Sequence, residues 1–378
     1  MVDKGLWAKH LLLWYEHHGR DLPWRHRKDA YAIWLSEILL QQTRVEQGLP
    51  YYERFLEAFP DLETLAGAPL ERVLRLWQGL GYYRRAHHLH QAAKVLWEEH
   101  GGTFPNSVKA LSMLPGIGPY TAAALGSIAF GLPVPVVDGN VIRVLSRAFG
   151  APYAWDSKEG KRWLQDLALP LLDVHRPGDY NQAMMDFGAT VCLPLKPLCE
   201  ACFWSRYCLA KAQDRIAELP FKSRKTKLKT EVLNYVVLLY EDKVGLVRRP
   251  EKGIWSGLYE FQAWTGASEA GMAPPDVKTR LAADFGWPVS SIGSVGRVER
   301  LQHRLSHRVL EINWFSVRLL RNFPLGKGRW VAWAELVNFA MPRPLEKLAA
   351  TLKENHGRIE QSHVDRQLGQ RSRGQDFG

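Results

Sequence analysis

Three groups of residues in this chain have types and spacings that could do chemistry. The first is the run "CLPLKPLCEACFWSRYC", which holds every cysteine of the sequence as C-x6-C-x2-C-x5-C: Cys192, Cys199, Cys202 and Cys208. Disulfides suit a secreted protein, and nothing here looks secreted. Structural zinc usually takes two separate C-x2-C knuckles; this run has one, with longer arms on both sides. Four thiolates in one compact loop also suit an iron–sulfur cluster held by cysteine alone. Spacing leaves zinc and the cluster both open. Lys196, Arg206 and Lys211 would give the loop a basic outer face, useful beside a phosphate backbone.

The second group is a pair of carboxylates. Glu37 lies in "AIWLSEILLQQT", where its helical neighbours Ile33, Trp34 and Leu40 are apolar. A carboxyl in such a place keeps its proton to higher pH, although a glutamate on the solvent side of a helix would read the same. Asp138 lies in "VPVVDGNVIRVLSRAFG", where an apolar run delivers it to a turn before an amphipathic helix starting near Val141. Its structural alternative is a plain N-cap. Two carboxylates in unlike environments are what glycosidic-bond cleavage needs. One protonates the leaving group and the other faces an oxocarbenium-like cation.

The third group is "LPGIGPYTA", Leu114 to Ala122. A helix ends before it, and Pro119 suits the first turn of the next one. Gly116 and Gly118 would let backbone N–H groups approach an anion at that helix start. An ordinary helix–turn–helix connection is the alternative; beside a basic chain and the cysteine loop, a hairpin gripping a DNA phosphate reads better. Such a grip is independent of base sequence.

The elements that position these groups follow from periodicity. From Leu6 to about Ala210 apolar residues recur at three- and four-residue spacing, as in "LERVLRLWQGLG" and "HLHQAAKVLWEEHG", which predicts helices. Residues 216–231 include "LPFKSRKTKLKTE" and read as a basic linker. Beyond it "VLNYVVLLYEDKVGLVRRP" reads as two strands joined at Glu241-Asp242-Lys243, "HRVLEINWFSV" and "GRWVAWAEL" as further strands, and "DVKTRLAADFG" as a helix. The expected organisation is a helical domain over 1–215 with the cysteine loop at 192–208, a mixed α+β domain over 232–350, and a disordered tail over 351–378.

The 378 residues make two domains the natural expectation. No apolar run approaches the roughly 18 residues of a membrane span, and the first residues lack a signal-peptide pattern. A cytoplasmic, nucleoid-associated protein is therefore expected. The net charge of +11 points to a polyanionic partner, most simply nucleic acid.

Those motifs together resemble the helix–hairpin–helix DNA glycosylases of the endonuclease III superfamily. "LPWR", "WLSEILLQQTRV", "GLGYYRRAHHLH", "DGNV" and "NQAMMDFGA" narrow the resemblance to the MutY, or adenine DNA glycosylase, family over nearly all of residues 6 to 210. The resemblance implies an all-α glycosylase domain, a [4Fe–4S] cluster on the four cysteines, and double-stranded DNA as partner, bound by a monomer. The substrate implied is adenine opposite 8-oxoguanine, or less well guanine. Glu37 matches the acid that protonates adenine at N7, and Asp138 the carboxylate at C1′, supported by Asn140 and Tyr120. Arg20, Trp24, Leu40, Val45, Gln182 and Met185 match positions lining the adenine pocket. Gln42, Thr43 and Tyr82 match residues that wedge beside 8-oxoguanine. A lysine nucleophile occupies position 120 in bifunctional relatives; Tyr120 cannot form a Schiff base, which implies a monofunctional enzyme.

From about 232 to 345 the chain is similar to the NUDIX-type (MutT-like) domain of that family, through "GIWSGLYEF" and "LQHRLSHRVLEI". Ser306 and His307 fall on its Phe-Ser-His segment, with Leu305 in place of the phenylalanine, and are expected to read 8-oxoguanine. The glutamate-rich metal box of true NUDIX hydrolases is missing at "RLAADFGW", so no Mg²⁺ site is expected there.

Overall fold

The computed structural model describes residues 4–223, 228–264, 274–305 and 307–354. The chain divides into two compact units, Met1–Val73 with Arg85–Lys225, and Leu74–Arg84 with Thr226–Gly378. Helices come first: α1 (Lys4–His18), α2 (Ala30–Leu40), α3 (Val45–Ala58), α4 (Leu62–Gly67), α5 (Leu70–Trp77), α6 (Arg84–His100), α7 (Val108–Leu111), α8 (Pro119–Phe130), α9 (Gly139–Ala148), α10 (Lys158–Ala168), α11 (Pro177–Thr190) and α12 (Leu209–Ala212).

In the helical unit, α2 is apolar on every side, and its residues Tyr31 to Leu39 are all buried. A helix with that pattern belongs inside a protein, and α2 packs against α3 and α8. Asp29 caps it by accepting from the Ala32 N–H at 2.8 Å. A second core gathers α1, α9, α10 and α11 around Trp7, Leu11, Phe187 and Trp204. Trp7 meets Trp204 edge-on with centroids 4.7 Å apart, and its indole N–H finds the Tyr180 hydroxyl at 2.9 Å, so burying this large ring strands no donor.

The second unit is built on an eight-stranded sheet: β1 (Lys229–Tyr240), β2 (Lys243–Arg248), β3 (Tyr259–Glu260), β4 (Gln262–Ala263), β5 (Ile292–Val295), β6 (Glu299–Arg304), β7 (Arg308–Leu319) and β8 (Gly328–Ala332). The long strands β1 and β7 run parallel at its centre, from Lys229↔Arg308 to Leu239↔Arg318, and the other pairings are antiparallel. Side chains alternate along β1. Tyr235 and Val237 face a core completed by Leu345 and Leu348 of α14 (343–354). Val236 and Leu238 face one completed by Val277 and Leu281 of α13 (Pro274–Phe285). Glu260 is buried but satisfied, since the Tyr235 hydroxyl donates to it at 2.6 Å and Arg249 pairs with it.

Two expected boundaries move. The stretch read as a linker is ordered at both ends: Leu219 and Phe221 pack with Ala151 and Ala210, and β1 opens at Lys229. Polar composition hid these ends, because their burial depends on partners distant in sequence. Arg224, Lys225 and Lys227 lie outside the described residues. Residues 351–354, read as the start of a disordered tail, are helical and belong to α14; the rest of that stretch lies outside the described residues. Among the described residues, no helix is long and apolar enough to cross a membrane.

Candidate active site

Glu37 sits in the middle of α2, almost fully buried, and accepts a hydrogen bond from the Tyr120 hydroxyl at 2.8 Å. Tyr120 enters from the first turn of α8, and its hydroxyl also lies 3.5 Å from the Met185 Sδ of α11. Burial pushes the Glu37 carboxyl up to about 7; the nearby Asp138 charge adds to the rise, while the Tyr120 bond and Arg25 oppose it. A carboxyl poised there carries a proton it can give up near neutral pH.

Asp138 is the N-cap of α9, so its structural alternative holds as well. Its carboxylate accepts from the Val141 N–H at 2.7 Å and from the Asn140 side-chain amide at 2.8 Å. Burial raises its pKa, and those donors, the Asn140 backbone N–H and the Arg143 charge pull the other way. One carboxyl therefore has a single donor and the other has three. Arg143 grips Asn140 Oδ1 at 2.9 Å, the Gly188 carbonyl at 2.6 Å and the Cys192 carbonyl at 2.7 Å. This guanidinium joins the Asp138–Asn140 pair to the start of the cysteine loop.

Around this centre, Arg20 precedes the Pro23–Arg25 3-10 turn and Trp24 lies within it, buried edge-on against Tyr52. Leu40 and Val45 are half-buried at the end of α2 and the start of α3. Gln182 is half-buried one turn before Met185 on α11, so the two share a face. Gln42 is exposed and left-handed at φ +55°, in a turn tied down by Arg85. Buried Arg85 donates to the carbonyls of Ile38, Leu39 and Gln41 at 2.6–3.0 Å and to Thr43 Oγ1 at 3.1 Å. Tyr82 is likewise exposed at φ +49°.

Between α7 and α8, Gly116 takes φ +73°, and a Cβ there would come within 2.5 Å of the His88 Cβ. Gly118 is the exposed N-cap of α8 and supplies no side chain to its free N–H groups. In the other unit, His307 is exposed at the start of β7, Leu305 packs against the sheet core, and Ser306 lies outside the described residues.

All four cysteines line one cavity with Arg147 and Leu198. Among the described residues, no three potential ligands are drawn tightly enough together to hold a metal ion. The donor set nevertheless fits a thiophilic group. Burial, and then the charges of the other three cysteines, push the Cys202 thiol up to about 11, a strain that bound cations relieve. Arg147 fixes the loop through the carbonyls of Leu193, Pro194 and Leu219 at 2.6–2.9 Å.

Known proteins place these features. Residues 35–167 match the HhH-GPD superfamily of base excision DNA repair proteins, and residues 234–351 match the NUDIX domain. The adenine DNA glycosylase of Buchnera aphidicola subsp. Acyrthosiphon pisum is 31% identical over 94% of this chain and 99% of its own length. That of Rattus norvegicus is 34% identical over 94% of this chain and 79% of its own length. The chain belongs to the adenine DNA glycosylase family. It is accordingly a DNA N-glycosylase of base excision repair, with a helix–hairpin–helix glycosylase domain followed by a NUDIX-type domain. A solved structure of a thermostable thymine-DNA glycosylase is also similar, at 33% identity and TM-score 0.52, covering 56% of this chain and 97% of that one.

Several residues of this glycosylase shape the centre without having been singled out in the sequence. Asn181, fully buried on α11, accepts from the Val136 N–H at 3.0 Å and donates to Val134 O and Ser127 Oγ. It thereby anchors the strand-like run that delivers Asp138. Gly188 lets α11 and α9 meet, since a Cβ there would lie 2.6 Å from the Asn140 Cβ. Arg25, Arg85, Arg143 and Asp186 belong with them. For Asn181 and Asp186 the sequence signal is a polar group inside the largely apolar run "YNQAMMDFGA".

Proposed function

We propose that this glycosylase removes adenine mispaired with 8-oxoguanine, or less well with guanine, from duplex DNA without cutting the strand. The observation that carries the reading is the pair of unlike carboxyls: Glu37 poised at about 7 with one donor, and Asp138 held by three. With adenine flipped into the pocket lined by Arg20, Trp24, Leu40, Val45, Gln182 and Met185, protonated Glu37 delivers its proton to the purine N7. The leaving base departs as a neutral molecule, and the ionised Asp138 faces the cation left at C1′ while water attacks. Asn140 and Arg143 hold that carboxylate in place. Tyr120 has no amine to condense with C1′, so the product is an intact strand with an abasic site.

DNA is bound as a duplex by a monomer. Gly116 and Gly118 offer backbone N–H groups to a phosphate, and Gln42, Thr43 and Tyr82 enter beside the opposite base. Ser306 and His307 read the N7–H donor and O8 acceptor that distinguish 8-oxoguanine from guanine. Cys192, Cys199, Cys202 and Cys208 would hold a [4Fe–4S] cluster, which ties the loop into a rigid basic face when bound. Place of action is the cytoplasm, at the nucleoid.

The test is base release under single-turnover conditions from duplexes carrying adenine opposite 8-oxoguanine, adenine opposite guanine, and thymine opposite guanine. Adenine in the order 8-oxoguanine before guanine is expected. Free thymine, the base named for the similar solved structure, would overturn the substrate assignment.

A further inference from the structure

We infer that Asp186 is a positioning residue: its buried carboxylate clamps Arg20 and Arg25 to α11 and so fixes the Pro23–Arg25 turn that carries Trp24. The inference rests on the adenine-excision reading above and adds a residue to it. The Asp186 side chain is fully buried, yet both oxygens are saturated by two arginines. Arg20 gives its backbone N–H at 2.9 Å, its Nε at 2.8 Å and an Nη at 2.6 Å. Arg25 gives its two Nη at 2.5 and 2.7 Å and also reaches the Arg20 carbonyl at 2.8 Å. Charge-assisted bonds of this forked kind fix direction as well as distance.

Besides these bonds the segment is held by the buried side chains of Leu22 and Trp24. Between α1 and α2 the chain makes only a three-residue 3-10 turn, closed by Arg25 N–H to Leu22 O at 2.9 Å. Burial by itself would raise the Asp186 pKa, but the bonds and charge of Arg25 and the bonds of Arg20 outweigh it and hold the carboxyl below its usual range. The clamp is therefore charged at any working pH.

Its position in the chain makes the clamp functional. Met185, one residue earlier, touches the Tyr120 hydroxyl that donates to Glu37. Arg25 carries its charge beside Glu37 from the other element. The charged and titratable groups acting on Glu37 are thus Tyr120 of α8, Asp138 before α9, and Arg25. Those around Asp186 are Arg20, Arg25 and the Tyr15 phenol of α1, whose ring lies 5.4 Å from the Arg25 guanidinium.

The experiment compares wild type, Asp186→Asn and Asp186→Glu in single-turnover adenine release across pH. Misplacing a pocket wall by about 1 Å costs on the order of 10²-fold, so Asp186→Asn is expected to slow release roughly ten- to a hundredfold. Released from its clamp, Arg25 leaves Glu37, and the alkaline limb of the rate moves to higher pH. Should Arg25 stay in place without Asp186, its uncompensated charge moves the limb lower or leaves it unchanged, and the inference falls. If Asp186→Asn does not fold, Asp186→Glu carries the test. It keeps the charge but pushes the turn outward by a methylene, and a wild-type rate and limb would overturn the clamp. A wild type that releases another base condemns the adenine reading alone, and the same variants are then read on that base.

Discussion

Glu37 gains its chemistry from its neighbours: an apolar helix strips water from its carboxyl, and the Tyr120 hydroxyl and the Arg25 charge compensate in part. The general acid must carry its proton, so base release should fall as pH rises through about 7. Glu37→Gln is expected to keep DNA binding and lose roughly 10²- to 10⁴-fold in single-turnover rate. Tyr120→Phe removes a donor that stabilises the carboxylate, so the alkaline limb should move to higher pH. A limb moving the other way in a pH–rate profile would mean that the phenol does not bind Glu37 in solution. Glu37 was legible in the sequence because an acid inside "AIWLSEILLQQT" breaks an apolar pattern. Asp186 breaks the pattern of "NQAMMDFGA" in the same way. Its meaning stayed hidden because its partners stand 161 and 166 residues away.

At the scale of elements, the centre is held by side chains that bond the backbone of neighbouring helices. Arg85 of α6 takes the carbonyls at the end of α2 and fixes the turn bearing Gln42 and Thr43. Arg85→Ala would strand several of those carbonyls, at a cost of roughly 1.5–3 kcal/mol. For a unit of this size that is about 3–12 °C in thermal midpoint, measurable by circular dichroism. A midpoint equal to wild type would show that the α2 end is held by something else. Helix periodicity and the turn signals at Gly116, Gly118 and Pro119 made α2, α8 and α9 readable in advance. The strand β6 was not, because its six residues "ERLQHR" lie largely exposed and lack the two-residue alternation that marks a half-buried strand.

The whole molecule couples a catalytic helical unit to a NUDIX-type sheet, and adenine itself is an undamaged base. The signal for removal must then come from the opposite strand, and the second unit is where Ser306 and His307 would receive it. A chain ending at Lys222 is expected to release adenine but to lose most of its preference for 8-oxoguanine over guanine, measured as paired single-turnover rates. Undiminished discrimination would assign lesion reading to Gln42, Thr43 and Tyr82. As purified, the full chain should be yellow-brown with about four irons per molecule, as a [4Fe–4S] cluster requires, and stoichiometric zinc would exclude the cluster. The central claim is that two unlike carboxyls cleave the glycosidic bond of adenine and leave the strand whole. It is tested most directly with the full chain and a duplex bearing one adenine opposite 8-oxoguanine, each time point being divided into halves with and without alkali. The account predicts free adenine in step with strand breaks that appear only in the alkali-treated half. Breaks of equal extent without alkali, or intact adenine in both halves, would contradict it.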